Sequence, residues 1–72
     1  MKKERDAKRL LEIGENIRRQ REKFNLSQDD VVERCDVTKG NLSMIENGNK
    51  DFYYTTLLEI AKGLGIEAKE LL

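Results

Sequence analysis

The chain has 72 residues, with no histidine, no proline and one cysteine, and its 14 Lys/Arg offset 14 Asp/Glu to a formal net charge of zero. That length allows one domain with a thin core, and a lone thiol without histidine builds neither an internal disulfide nor a metal site, so no metal or cofactor is expected. No apolar run approaches the length of a membrane span, and the charged start Met1-Lys2-Lys3-Glu4-Arg5-Asp6 lacks the apolar stretch of a signal peptide. The expected compartment is the cytoplasm, where Cys35 stays reduced.

Apolar residues recur at helical spacing, so the expected class is all-α, held by close helix packing. The first helix is expected from about Ala7 to Phe24, with Leu10, Ile13, Ile17, Arg21 and Phe24 on one face. Gly14 interrupts it at a cost of roughly 1 kcal/mol relative to alanine. Asn25 suits a left-handed helix end. Residues 1–9 form a charged extension, either frayed or continuing the helix. The second helix starts at the cap Ser27, with Asp30 in its first turn, and ends near Asp36; Val31, Val32 and Cys35 face inward. The third is capped by Thr38, buries Leu42 and Ile45, and stops at Asn47-Gly48-Asn49. After a loop over 49–52, a fourth helix from about Tyr54 to Leu64 buries Leu57, Ile60, Ala61 and Leu64 and ends at Gly65. A last short helix over 67–72 turns Leu71 inward.

The second and third helices are separated by only about three residues, Asp36 to Thr38. So short a connection cannot fold the chain back antiparallel. It sends the third helix across the second at a steep angle, a helix-turn-helix over 28–47 within a domain over 10–72. The outer face of the third helix can then enter a major groove.

Here the sequence resembles a known family. Ile13-Gly14-Glu15-Asn16-Ile17-Arg18-Arg19-Gln20-Arg21, then Leu26-Ser27-Gln28, is similar to the start of the Cro/CI-type (Xre family) repressor domains. So is Val37-Thr38-Lys39-Gly40-Asn41-Leu42-Ser43-Met44-Ile45-Glu46-Asn47-Gly48, and so is the ending Leu57 to Ile66 with Leu71-Leu72. The resemblance covers residues 10–72. It implies a five-helix, lambda-repressor-like bundle that binds double-stranded operator DNA, commonly as a homodimer. It implies that Gln28 bonds a phosphate at the start of the second helix, where free amides also point. It implies that Asn47, Asn49 and Lys50 form a second phosphate clamp, and that Thr38, Lys39, Gly40, Asn41, Ser43 and Met44 belong to the DNA-facing start and outer face of the third helix. Arg21 and Glu46 match a pair that bridges the first and third helices.

Three positions depart from the family. Val32 stands where a small residue is usual. Asp36 stands where a glycine is usual, and is expected to take the left-handed conformation in its place. Phe52-Tyr53 replaces the proline-serine that often opens the fourth helix, which removes its expected cap.

Each candidate also has a plainer reading. Lys39 is a groove contact or a solvated lysine; Gly40 allows close approach to DNA or is incidental; Met44 meets a thymine methyl or packs inward. Arg18 and Arg19 read as a solvated face, Cys35 as a small core residue, and Tyr53 and Tyr54 as loop and cap packing. Catalysis is not expected: Cys35 has no base to activate it and the carboxylates are scattered. Residues 1–25 carry nine Lys/Arg against five Asp/Glu, and residues 26–72 carry five against nine. The neutral total does not exclude a local basic patch, but it implies weak non-specific DNA affinity compared with a strongly basic domain. The expected function is a transcriptional regulator, a repressor. The alternatives are the antitoxin of a toxin–antitoxin pair, with a small protein toxin as partner, and a restriction–modification controller.

Overall fold

The computed structural model describes the backbone of residues 2–72 and the side chains of residues 7–72. Four α-helices and a closing 3₁₀ turn follow in chain order: α1 (Lys2–Lys23), α2 (Gln28–Val32), α3 (Lys39–Glu46), α4 (Tyr54–Leu64) and the 3₁₀ turn Ala68–Leu71. The all-α class is as expected, but the fifth helix is a single 3₁₀ turn. The Glu70 amide bonds the Glu67 carbonyl at 3.0 Å and the Leu72 amide bonds the Lys69 carbonyl at 3.3 Å, each three residues back, which is the 3₁₀ spacing.

Caps define the elements. Ser27 accepts from the Asp30 amide at 3.0 Å while the Asp30 carboxylate accepts from the Ser27 amide at 2.8 Å. This is a reciprocal capping box. Thr38 accepts from the Asn41 amide at 3.2 Å. Tyr53 stands at the N-cap of α4 and provides no side-chain cap, as the loss of proline-serine implied. Asn25, Gly48 and Gly65 end α1, α3 and α4 with φ of 57°, 72° and 77°. In each case the next amide reaches back five residues: Leu26 to Arg21, Asn49 to Met44 and Ile66 to Ala61, at 3.0, 2.9 and 3.0 Å. These paired C-terminal bonds turn the chain sharply and satisfy carbonyls that a helix end would otherwise leave open.

Ile17, Val31, Leu42, Ile45, Leu57, Ile60, Leu64 and Leu71 form one core, closed at its edge by Ile13, Leu26, Val32, Cys35 and Val37. α1 packs on α3, α4 and the 3₁₀ turn, and α2 packs on α3 and α4. The Asn16 amide donates to the Leu71 carbonyl at 2.9 Å, tying the 3₁₀ turn to the middle of α1. Phe24 departs from the expected inward face: it is 44% exposed, with the Lys23 ammonium over its ring. α1 has already ended there, and the turn at Asn25 brings Leu26 to the core instead.

Two glycines are close-packing contacts. A Cβ on Gly14 would run into the Ile45 carbonyl oxygen, and one on Gly63 would lie 2.7 Å from that of Val31. Gly14 thus lets α1 touch the backbone at the end of α3, which offsets its poor helix propensity.

Two expectations about the turn are corrected. α2 stops at Val32 rather than near Asp36, because the Arg34 amide bonds the Val31 carbonyl at 3.0 Å and tightens the chain out of the α-helix. The connection to α3 therefore spans six residues. Asp36 is not left-handed: among the described residues the non-glycine with positive φ is Asn25. The Asp36 amide instead donates to the Glu59 carboxylate of α4 at 2.9 Å, which holds the turn without a left-handed step. Among the described residues no helix is long and apolar enough to cross a membrane.

Candidate nucleic-acid interface

α3 is eight residues long and carries two faces. Leu42, Ile45 and Glu46 are buried. Gly40, Met44 and Asn47, spaced four and three apart, line up along the opposite side. All three are exposed, Met44 to 46%. Asn41 and Ser43 flank this stripe and are half-buried. Met44 therefore points outward, which removes the reading in which it packs into the core. Gly40 has nothing within 4 Å of its missing Cβ. No contact of the fold itself requires a glycine there.

Beneath this face lies a buried ionic cluster. Arg21 Nε donates to Glu46 Oε2 at 2.8 Å and Nη2 to Oε1 at 3.1 Å, while Nη1 donates to the Leu26 carbonyl at 2.9 Å. The Glu46 side chain is 3% exposed. The hydrogen bond from Arg21 to Glu46 holds the guanidinium above its ordinary pKa. Gln28 Nε2 donates to Glu46 Oε1 at 3.1 Å. The cluster thus locks α1, the start of α2 and the end of α3 to one another. A bidentate guanidinium–carboxylate pair fixes both position and angle.

The remaining candidates sit around the stripe. Lys39 Nζ lies 3.3 Å from Asp29 Oδ1, an exposed pair joining α3 to α2. Lys50 Nζ donates to Asn41 Oδ1 at 2.6 Å. Asn49 is exposed, and the Thr38 hydroxyl is engaged in its cap. Arg18 and Arg19 are exposed on α1, with Arg19 bonded to Asn16. Cys35 is half-buried; its Sγ–H donates to the Val31 carbonyl at 3.4 Å, and burial pushes its thiol pKa up. A thiol so placed is a packing residue rather than a nucleophile.

Sequence reading missed three features of this surface. Asp29 places a carboxylate beside Lys39, Lys50 holds Asn41, and Gln28 belongs to the buried cluster as well as to the surface. No local pattern announces them, because each joins residues from different elements.

The helices, their order and the outward stripe define a helix-turn-helix domain, and residues 14–72 match the family model described as "Helix-turn-helix domain". The chain belongs to that family and is a DNA-binding regulator of the Xre type. It is 35% identical over 65 residues to the control protein C.BamHI of Bacillus amyloliquefaciens, covering 89% of this chain and 79% of that one. It is 34% identical over 59 residues to the uncharacterized HTH-type transcriptional regulator y4dJ of Sinorhizobium fredii, covering 82% and 77%. Its fold matches the crystal structure of the restriction–modification controller protein C.AhdI of Aeromonas hydrophila. The TM-score is 0.83 at 25% identity, across 88% of this chain and 96% of that one.

Proposed function

We propose that this chain controls transcription of a restriction–modification operon by binding a near-palindromic operator as a homodimer in the cytoplasm, with α3 in the major groove. The observation that carries the reading is similarity across nearly the whole chain to one control protein in sequence and to a second in fold. Both favour a controller over an antitoxin. Repression is the expected outcome, since a dimer seated on promoter DNA excludes polymerase.

The residues divide by task. Gly40, Asn41, Ser43 and Met44 face the base edges, and Lys39 reaches either a guanine or a phosphate. Thr38, Asn47, Asn49 and Lys50 flank the backbone. Gln28 has one amide N–H engaged by Glu46 and offers the other to a phosphate at the edge of α2. For the dimer surface, the buried Leu71 is committed to the monomer core, whereas Leu72 is 68% exposed and Leu58 and Tyr54 lie open on α4.

Selection of duplexes from a random pool at stated salt tests the proposal. The expected product is a near-palindrome with half-sites about one helical turn, ~34 Å, apart. Lack of any enriched sequence at low salt overturns it. In the same assay, Lys39→Ala with Asn41→Ala weakens binding to the selected operator and leaves thermal melting unchanged; normal operator binding by that double mutant would place the reading face elsewhere.

A further inference from the structure

The outermost stripe of α3 combines features that together suit one base. Gly40 leaves open space at the helix surface that the fold does not use. One turn later Met44 extends a flexible, polarizable apolar side chain that is 46% exposed. Three residues before Met44, on the same flank, stands Asn41. Its Oδ1 is taken by the Lys50 ammonium at 2.6 Å. With one lone pair of that oxygen taken by Lys50, the Nδ2 amino group is the part of the Asn41 amide with both its donors uncommitted to Lys50. The face therefore offers one hydrogen-bond donor beside one apolar group.

Among the major-groove edges, thymine presents an acceptor, O4, beside a C5-methyl group. Adenine presents N7 as acceptor and N6 as donor, so the usual bidentate asparagine pairing needs both ends of the amide. Guanine presents two acceptors and no methyl, and cytosine presents a donor. Resting on the operator reading above, we infer that α3 selects a thymine in each half-site. Asn41 Nδ2 donates to O4, Met44 covers the C5-methyl, and the gap at Gly40 lets the base edge come against the helix. Lys50 is a positioning residue: it acts through Asn41 by holding the amide and taking one of the two lone pairs of its oxygen, which disfavours the bidentate pairing adenine would need.

The test uses the full chain and the duplex it selects from a random pool, resynthesised with deoxyuridine in place of each thymine in turn. Uracil keeps O4 and lacks the methyl. The expected result is an affinity loss of about 4-fold at one thymine per half-site, the worth of one buried methyl group, and near-normal binding at the others. Met44→Ala, whose side chain is exposed, melts as the parent does and binds the thymine and uracil duplexes equally. Lys50→Met shifts the preference at that base from thymine toward adenine; a ratio of affinities is read, so a uniform loss of phosphate contact does not enter. Tolerance of uracil at every position overturns the inference. So does uracil discrimination that persists in Met44→Ala, or an unchanged thymine-to-adenine ratio in Lys50→Met. Failure to select any duplex defeats the operator reading itself, whereas a selected duplex indifferent to uracil defeats the thymine assignment alone.

Discussion

At the scale of single residues, Glu46 carries the most consequence. Its carboxylate accepts from Arg21 twice and from Gln28 once inside the fold. Removing it strands a guanidinium that is only 14% exposed. Glu46→Ala is therefore expected to lower stability by ~3–5 kcal/mol in urea unfolding, nearer the lower figure because the edge of Arg21 reaches water. Unchanged unfolding would show that the cluster does not hold the helices. Gln28→Ala is expected to weaken binding to all duplexes alike and also to lower stability, since it removes a hydrogen bond to the same carboxylate. Asp30 gives a pH dependence. The Ser27 backbone amide and hydroxyl hold its carboxyl below the ordinary value. Its folded pKa is thus lower than its unfolded one. The stabilisation is present above the unfolded value and is lost as pH falls through the folded value. Acid unfolding of Asp30→Ala, compared with the parent, should show a shallower loss of stability across that window; superimposable acid limbs would contradict it.

At the scale of elements, the glycines separate packing from propensity. An alanine is the better helix former at Gly14, Gly40 and Gly63 alike. At Gly14 its methyl meets the Ile45 carbonyl, an atom that cannot rotate away. Gly14→Ala is expected to destabilise by about 1–3 kcal/mol or more, through forced separation of α1 and α3. At Gly40 the methyl meets nothing. Gly40→Ala is expected to raise stability by up to ~1 kcal/mol, read as a higher Tm. If the two substitutions moved Tm in the same direction, the close approach of α1 to α3 would be wrong. α2 shows the other side of the same balance. Five residues cannot sustain a helix on propensity; α2 is held by its capping box, by Val31 in the core and by Gly63 of α4 against Val31.

At the scale of the molecule, charge is distributed against strong binding. The net charge is zero, and the carboxylate of Asp29 lies against Lys39 at the start of α3. In the proposed complex, Lys39 exchanges that carboxylate for a phosphate or a base. Asp29→Asn is expected to raise affinity for all duplexes and to steepen the salt dependence of binding, because one more cation is free to release counterions. An unaltered salt slope would mean that Lys39 does not meet DNA. A homodimer, if the two-fold reading holds, makes the melting temperature rise with chain concentration. A concentration-independent Tm together with monomeric sedimentation would exclude it. The thin core makes that coupling a natural one, since a small domain gains much from each additional buried surface.

Periodicity and cap chemistry determined the helices of this protein and nearly all their ends, because helices are built from contacts three and four residues apart. Ser27, Thr38, Asn25, Gly48 and Gly65 mark their boundaries locally, and the pair Arg21–Glu46 was legible through family resemblance. Tertiary structure alone decided the rest. Whether Gly14 is a flaw or a contact depends on α3, which approaches from 31 residues away in sequence. The anchor of the Asp36 amide on Glu59 depends on α4. The orientation of Asn41 depends on a lysine beyond the turn that follows its helix. The helix-turn-helix itself was written in local spacing. The groups its outer face presents were set by side chains that meet only when the helices are packed.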